Sequence, residues 1–283
     1  MSGINQNWDQ IIKPQKSMFQ IDLKALWRYR DLLFLFVRRD FVSIYKQTIL
    51  GPIWFFIQPI LTTITYLIVF YFIANLKTDG IPPILFYMAG IVLWNYFSEC
   101  LMKTSETFTA NANIFGKVYF PRLIVPLSIV VSNMMRVGIQ LLLFFCFWMY
   151  FYFTNEKIEI NATILLLPLL FILMAGHALA AGLIISSLTT KYRDLKFLVQ
   201  FGVQLLMYAS PVVYPLSKVP TQYQWILLLN PMTSIIETFK YSVLGAGVFS
   251  INYLLINLGS LFIMLLLGLF IFNKVEKSFM DTV

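Results

Sequence analysis

Apolar runs long enough to cross a lipid bilayer are the feature that most constrains this chain. "LGPIWFFIQPILTTITYLIVFYFIA", "LIVPLSIVVSNMMRVGIQLLLFFCFWMYFYF" and "LLLPLLFILMAGHALAAGLIISSL" all reach the length that a hydrocarbon core of about 30 Å demands of a helix, roughly 20 residues. None of them alternates apolar and polar residues as a barrel strand would. Inside lipid the backbone must satisfy its own polar groups, so such runs fold as helices. With 59% of residues hydrophobic, against roughly 45–50% in soluble domains, a soluble globular fold is excluded.

Six spans are expected, at about 50–74, 84–102, 123–153, 161–189, 197–216 and 251–272. The segment 222–246, "QYQWILLLNPMTSIIETFKYSVLGA", is apolar enough to compete as a seventh. It would carry Asn230-Pro231, Glu237 and Lys240 through lipid, where each is costly. A re-entrant helical hairpin on the outer face, between spans five and six, fits polarity and parity better. Broken backbone at membrane depth is tolerated where it packs in protein or lines a cavity. With Pro211, Pro215, Pro220 and Pro231 close by, this region is expected to build a mouth. Ahead of span one, "IDLKALWRYRDLLFLFVRRDFVSIYK" mixes charges with Leu, Phe and Trp at helical spacing and reads as an amphipathic helix at the inner interface. The expected organisation is a cytoplasmic segment 1–46 containing that helix, a transmembrane domain 47–276 and a tail 277–283. The first residues are polar and basic and contain no cleavable signal, so span one is expected to act as its own insertion signal.

The net charge of +8 suggests nucleic acid until its distribution is read. With the N-terminus inside, sixteen of the 21 Lys and Arg fall in inner loops and termini. Only Lys77, Lys157, Lys218 and Lys240 fall outside, and Arg136 lies within a span. That asymmetry places both termini in the cytoplasm and identifies the basic partner as the membrane rather than nucleic acid.

Chemistry-bearing motifs are scarce. The lone histidine, His177, lies among small residues in "LMAGHALAAG" and reads as packed; Ala178-xxx-Gly182 in the same stretch reads as a close helix contact. Cys100 and Cys146 have no metal-ligand spacing and read as small core hydrophobes. There is no Walker GxxxxGK[ST], since Gly116-Lys117 lacks the upstream glycine and the hydroxyl. No cofactor or metal is expected in this chain. Glu99 and Arg136 sit at similar depth in the inner half of the bilayer, and two readings are open, an ion pair or two pore-lining charges. Aromatics make up 17% of the chain, more than interfacial belts need. Ordinary helix packing is the commoner fate of any single ring, but Tyr66, Trp94, Tyr96 and the Glu99–Arg136 region are expected to approach a conduit, where amphipathic rings offer stacking faces.

"KYRDLKFLVQFGVQLLMYASPVVYP", "KQTILGPIWFFIQP", "NANIFGKVYFPRLIVPLS" and "LNPMTSIIETFKYSVLG" are the stretches that carry a family likeness, which covers residues 22–277. Together they resemble the permease subunits of ABC exporters that handle polysaccharides and polyol phosphates. Within that family the likeness is to O-antigen exporter permeases, with wall teichoic acid exporter permeases close behind. The resemblance implies a homodimer in the cytoplasmic (inner) membrane, two copies of a separate ATPase subunit that binds ATP and magnesium, and a glycan on an undecaprenyl diphosphate carrier. It implies ATPase coupling through Asn113, Ile114, Phe115, Gly116, Lys117 and Tyr119, and through Lys191, Tyr192, Arg193 and Asp194. Arg28, Arg30, Arg38 and Arg39 stand where the carrier's diphosphate would arrive, and guanidinium forks bind phosphate well. Pro211, Asn230, Pro231, Glu237 and Lys240 would form an outer gate.

Three other readings compete. A membrane enzyme on the same carrier needs acid–base groups gathered at one interface, whereas Glu156 and Glu159 stand in a short outer loop without a histidine. A secondary transporter needs inverted repeats and midplane ionisable groups, of which only Glu99 and Arg136 qualify. A drug or small-lipid exporter of the ABC class is the remaining alternative.

Overall fold

In a computed structural model, residues 23–46, 49–154 and 158–282 are described, and among them the chain is all helix and turn, with no strand. Glu156 and Lys157 of the outer loop, like residues 1–22, lie outside the described residues. The amphipathic segment forms two helices, α1 (Leu23–Arg28) and α2 (Arg30–Tyr45). A 3-10 turn over Gly51–Ile53 leads into α3 (Trp54–Tyr66), which continues as π turns over Leu67–Ile73. Then come α4 (Pro83–Ser105), two short inner-loop helices α5 (Thr107–Ala110) and α6 (Ala112–Phe115), and α7 (Ile124–Phe153). The second half contains α8 (Leu167–Lys191), α9 (Leu195–Tyr208), α10 (Thr221–Leu228), α11 (Pro231–Leu244) and α12 (Ile251–Thr282).

Five segments among the described residues are long and apolar enough to cross a membrane: Gly51–Ile73, Pro83–Ser105, Ile124–Phe153, Ala162–Lys191 and Ile251–Glu276. They correspond to five of the six expected spans. The remaining one, expected over 197–216, is helical only over Leu195–Tyr208. Beyond Tyr208 the chain runs as turns, because Pro211 cannot supply a helical N–H. At 1.5 Å per residue α9 is about 21 Å long, α11 the same and α10 about 12 Å, so each is shorter than a hydrocarbon core. Cys100 is buried as expected, but Cys146 is exposed on α7, so only one of the two is a core residue.

The architecture is organised around α4, whose residues from Leu85 to Trp94 are all buried. Beside it runs α8, and the contact is made by absence of side chain: a Cβ on Gly182 would lie 2.5 Å from Thr104 Cβ. On its other side α8 meets α12 in the same way, since a Cβ on Gly176 would lie 2.7 Å from Leu261 Cδ1 and one on Gly268 2.9 Å from Ala180 O. Between helices in lipid no hydrophobic force drives association, so close van der Waals packing through small residues has to hold them. The Ala178-xxx-Gly182 stretch thus works as a helix contact, and His177 is packed, its Nδ1 2.8 Å from Leu173 O and its Nε2 3.1 Å from Ser260 Oγ on α12.

The two kinds of glycine separate in a stability measurement. Gly182→Ala should destabilise by about 1–3 kcal/mol, the usual effect of overpacking a filled contact. Gly138→Ala, on α7 where an added Cβ meets nothing within 4 Å, should be neutral or stabilise by up to about 1 kcal/mol through helix propensity. Thermal unfolding of the two purified variants checks this, and equal melting temperatures would refute the α4–α8 contact.

Candidate functional site

Two faces carry the polar groups singled out by the sequence. The first is the inner loop between α4 and α7. Phe115 and Phe120 turn inward into an aromatic cluster with Phe108, Phe36 of α2 and Phe272 of α12; ring centroids are 4.6 Å apart for Phe108–Phe272, 5.7 Å for Phe115–Phe120 and 5.8 Å for Phe36–Phe120. Anchored this way, the loop presents Asn113, Gly116, Lys117 and Tyr119 outward, Tyr119 being 60% exposed, while Ile114 is half-buried. Arg122 closes the loop: Nη1 donates to Glu276 O on α12 at 2.5 Å, and the guanidinium lies 5.6 Å from the Phe115 ring centroid.

The loop between α8 and α9 joins this face. Lys191, Tyr192, Arg193 and Asp194 are all exposed. Lys196 Nζ reaches Glu106 Oε1 at 2.8 Å, and Thr189 Oγ1 donates to Ser105 O at 2.8 Å. The two candidate coupling loops, some 75 residues apart in sequence, are thus brought together into one exposed surface on buried aromatic anchors.

Along α1 and α2 the four arginines divide. Arg30 is 3.9 Å from Asp31 and stacks 5.4 Å from Trp27, and Arg39 pairs with Asp40 at 2.8 Å over the Phe36 ring. Arg28 and Arg38 have no acidic partner among the described residues. Glu99 and Arg136 form an ion pair, one of the two readings of those charges. Sequence reasoning missed the third member, Lys103, which lies 3.6 Å from Glu99 one turn further along α4 and within 3.4 Å of Asn133 Oδ1. Its i, i+4 spacing from Glu99 was the available signal. The cluster holds two cations against one carboxylate.

Two of the expected conduit rings are corrected by the structure. Trp94 and Tyr96 are each 3% exposed, with Trp94 packed at 5.5 Å on Phe97 and the Tyr96 hydroxyl 3.4 Å from Val130 O. They are core residues of α4, buried because α4 is surrounded on every side. Tyr66 is half-buried, and its hydroxyl lies 3.3 Å from Met207 Sδ on α9.

The second face surrounds α11. Asn230 caps its first turn, accepting from Met232 N at 3.0 Å and donating to Ser210 Oγ at 2.7 Å; Pro231 follows at the first helical position, where its missing N–H costs nothing. Glu237 and Lys240, one turn apart, are 2% and 1% exposed. Lys240 Nζ donates to Pro211 O at 2.6 Å and sits 3.4 Å from the Phe86 ring centroid. Glu237 Oε2 accepts from Val248 N at 3.0 Å, and its charge opposes that of Lys240. Asp79, hydrogen-bonded to Ser217, adds a further negative charge nearby. At the helix end Trp148 Nε1 on α7 donates to Val243 O at 2.9 Å, and Gly245 leaves α11 with φ of +76°. Among the described residues no group of His, Cys, Asp and Glu could hold a metal ion.

Lys240→Met removes a buried cation together with the donor to Pro211 O and leaves Glu237 uncompensated. A loss of about 3–5 kcal/mol is expected, as for other broken buried pairs. Adding Glu237→Gln should restore a substantial part by removing the stranded charge. Thermal unfolding of both variants measures this, and a double variant no better than the single one would show that the two charges are not coupled.

Comparison with known proteins bears on both faces. The sequence profile described as ABC-2 type transporter matches residues 31–244, from α2 to the end of α11. The O-antigen export system permease protein RfbA of Klebsiella pneumoniae is 28% identical over 251 residues, covering 89% of this chain and 94% of that protein. The protein of the same name from Myxococcus xanthus is 27% identical over 221 residues, 77% of this chain and 82% of that protein. The polysialic acid transport protein KpsM of Escherichia coli is 26% identical over 246 residues, 82% of this chain and 89% of that protein. With a profile match over most of its length and several membrane-long apolar helices, this chain is an integral membrane protein that belongs to the ABC-2 type transporter family.

Proposed function

We propose that this chain is the permease subunit of an ATP-driven exporter of lipid-linked polysaccharide, of O-antigen type, in the cytoplasmic membrane. The observation that carries the reading is the inner surface formed by the 106–122 and 191–196 loops. It is exposed, held on buried aromatic rings and fastened by the Lys196–Glu106 pair, in a chain without a nucleotide-binding motif. Such a surface suits a separate ATPase subunit, which would bring ATP and magnesium. The names of the relatives support a polysaccharide cargo. Two copies of the chain and two ATPase subunits make the working unit in this reading, with both termini cytoplasmic, α9 and its following turns as the sixth crossing, and α10–α11 as a re-entrant hairpin at the outer end.

Force transfer follows from the helix geometry. α7 is 30 residues long, about 45 Å at 1.5 Å per residue. Its inner end is set in the cluster of Phe115 and Phe120, and its outer end holds α11 through Trp148. A displacement of the inner loop is therefore passed by one stiff helix to the hairpin that carries Asn230, Glu237 and Lys240. Arg28, Arg30, Arg38 and Arg39 stand on the two helices that pack against the same cluster, and would meet the carrier's diphosphate at the level of the lipid phosphates. A long glycan must thread rather than be enclosed, which favours weak contacts along the way.

The test is reconstitution of the chain with its ATPase subunit in vesicles, following export of lipid-linked glycan and ATP hydrolysis together. Tyr119→Asp and Arg193→Glu should each lower export by about tenfold or more, the scale of losing one well-packed interface contact of about 1.4 kcal/mol or above. Helix content and membrane insertion should be unchanged, because both side chains are exposed. Full export by both variants would remove the docking assignment; failure of the wild-type pair to move any glycan would remove the cargo.

A further inference from the structure

A cavity of about 610 Å³ lies behind α9 and takes no part in the function described above. It is a half-open cleft bounded by Phe97 and Leu101 of α4, Ala181 and Ile185 of α8, Val203 of α9 and Met264 of α12, and lined at one end by the tip of the α10–α11 hairpin. This is the size range of pockets that bury a whole small ligand. Its polar wall groups are His177 and Asn230. Both are already engaged, His177 by Leu173 O and Ser260, and Asn230 by Ser210 and Met232 N. The rest of the lining is apolar, so the wall suits an apolar occupant better than a sugar or a phosphate.

The outer wall is thin. α9 buries only Val203, while Phe197, Leu198, Phe201 and Leu205 on it are exposed. Midway along it stands Gly202, where an added Cβ would meet nothing within 4 Å. A glycine in a helix interior costs roughly 1 kcal/mol relative to alanine, and here no neighbouring atom requires it. Empty space beside it is what its small size preserves. The helices around the space are those read as membrane spans, so the material at hand to fill it is hydrocarbon.

We propose that this cavity seats a hydrocarbon chain, the isoprenoid or acyl tail of a membrane lipid, and that Gly202 keeps the space open for it. The proposal stands independently of which cargo the protein exports. The full-length protein is placed in lipid nanodiscs with one of two photoreactive probes, a polyprenyl phosphate or a phosphatidylglycerol, each with a diazirine near the end of one chain. After irradiation the labelled residues are mapped by peptide mass spectrometry. Labels are expected on cavity-facing residues such as Val203, Leu101 and Met264, and the probe that delivers them identifies the source of the tail. Gly202→Leu should lower this labelling about tenfold, the effect of displacing roughly two buried methylene groups. Labelling of the exposed Phe197 and Leu198 should be unaffected. Should Gly202→Leu fail to fold, excess unlabelled lipid of the same chain type should suppress the cavity labels on the unaltered protein and not the surface ones. Labels confined to the exposed face of α9, or cavity labels that resist both the substitution and the competitor, would overturn the proposal.

Discussion

The hydrogen bond from Lys240 Nζ to Pro211 O ties the broken end of the α9 segment to α11. After Tyr208 the chain abandons helical geometry, yet residues 210–213 are buried, and each polar backbone group there needs a partner. The Ser210 backbone is met locally, its N–H by Met207 O and its carbonyl by Val212 N, while Pro211 O is met by Lys240; Asn230 holds the Ser210 hydroxyl, and Gly90 lets Val212 approach α4 so closely that a Cβ would lie 3.0 Å from Val212 Cα. A charged donor is the stronger kind, and the Phe86 ring below it replaces part of the lost hydration. α11 thus supplies, through Lys240, the partner that the Pro211 carbonyl would otherwise find in water. The cost of burying Lys240 is reduced, though not cancelled, by the charge of Glu237, whose carboxylate is in turn held by Val248 N.

The opposite end depends on ring packing. The aromatic cluster gathers α2, the inner loop, the start of α7 and the end of α12 around Phe108 and Phe115, and Arg122 ties the loop to the backbone of α12. Aromatic pairs add about 0.5–1.5 kcal/mol each beyond burial, enough for several of them to hold a loop of two short helices that would not be stable alone. The loop is therefore stiff where it is anchored and free where it is exposed, the combination that transmits a push. Because α7 is set in this cluster below and bonded to α11 above, the two ends of the protein are not mechanically independent.

Long apolar runs made the helices legible, and helical rise alone placed Glu99 and Arg136 at one depth. What hydropathy could not show was which helix is surrounded. α4 and α3 are both apolar for most of their length, yet only α4 is enclosed, so Trp94 and Tyr96 read as conduit rings and are core residues instead. The end of α9 was overrun because the apolar pattern continues through "SPVVYP" while the helix stops; Pro211 was the signal, and burial of irregular backbone hid it. Glu237 and Lys240 read from the sequence as costly in lipid. That reasoning could not reveal that protein, rather than an aqueous mouth, surrounds them, since the residues that enclose them come from α4, the 209–216 turns and Val248.

The charges of α2 and of the deeper cluster form two separate groups. Arg39 pairs with Asp40 on α2, and Lys103 and Arg136 share Glu99. Phe41 of α2 stacks 5.6 Å from Phe55, whose ring centroid lies 5.7 Å from the Arg136 guanidinium, so α2 is joined to this cluster through rings. In the deeper cluster two cations face one carboxylate. A movement of α2 therefore reaches Arg136 through the rings of Phe41 and Phe55. An anion arriving at Arg39 would compete with Asp40 for the guanidinium. On the proposed function, a diphosphate at the interface is then felt at the deeper cluster through Phe41 and Phe55, and at the loop between α4 and α7 through Phe36.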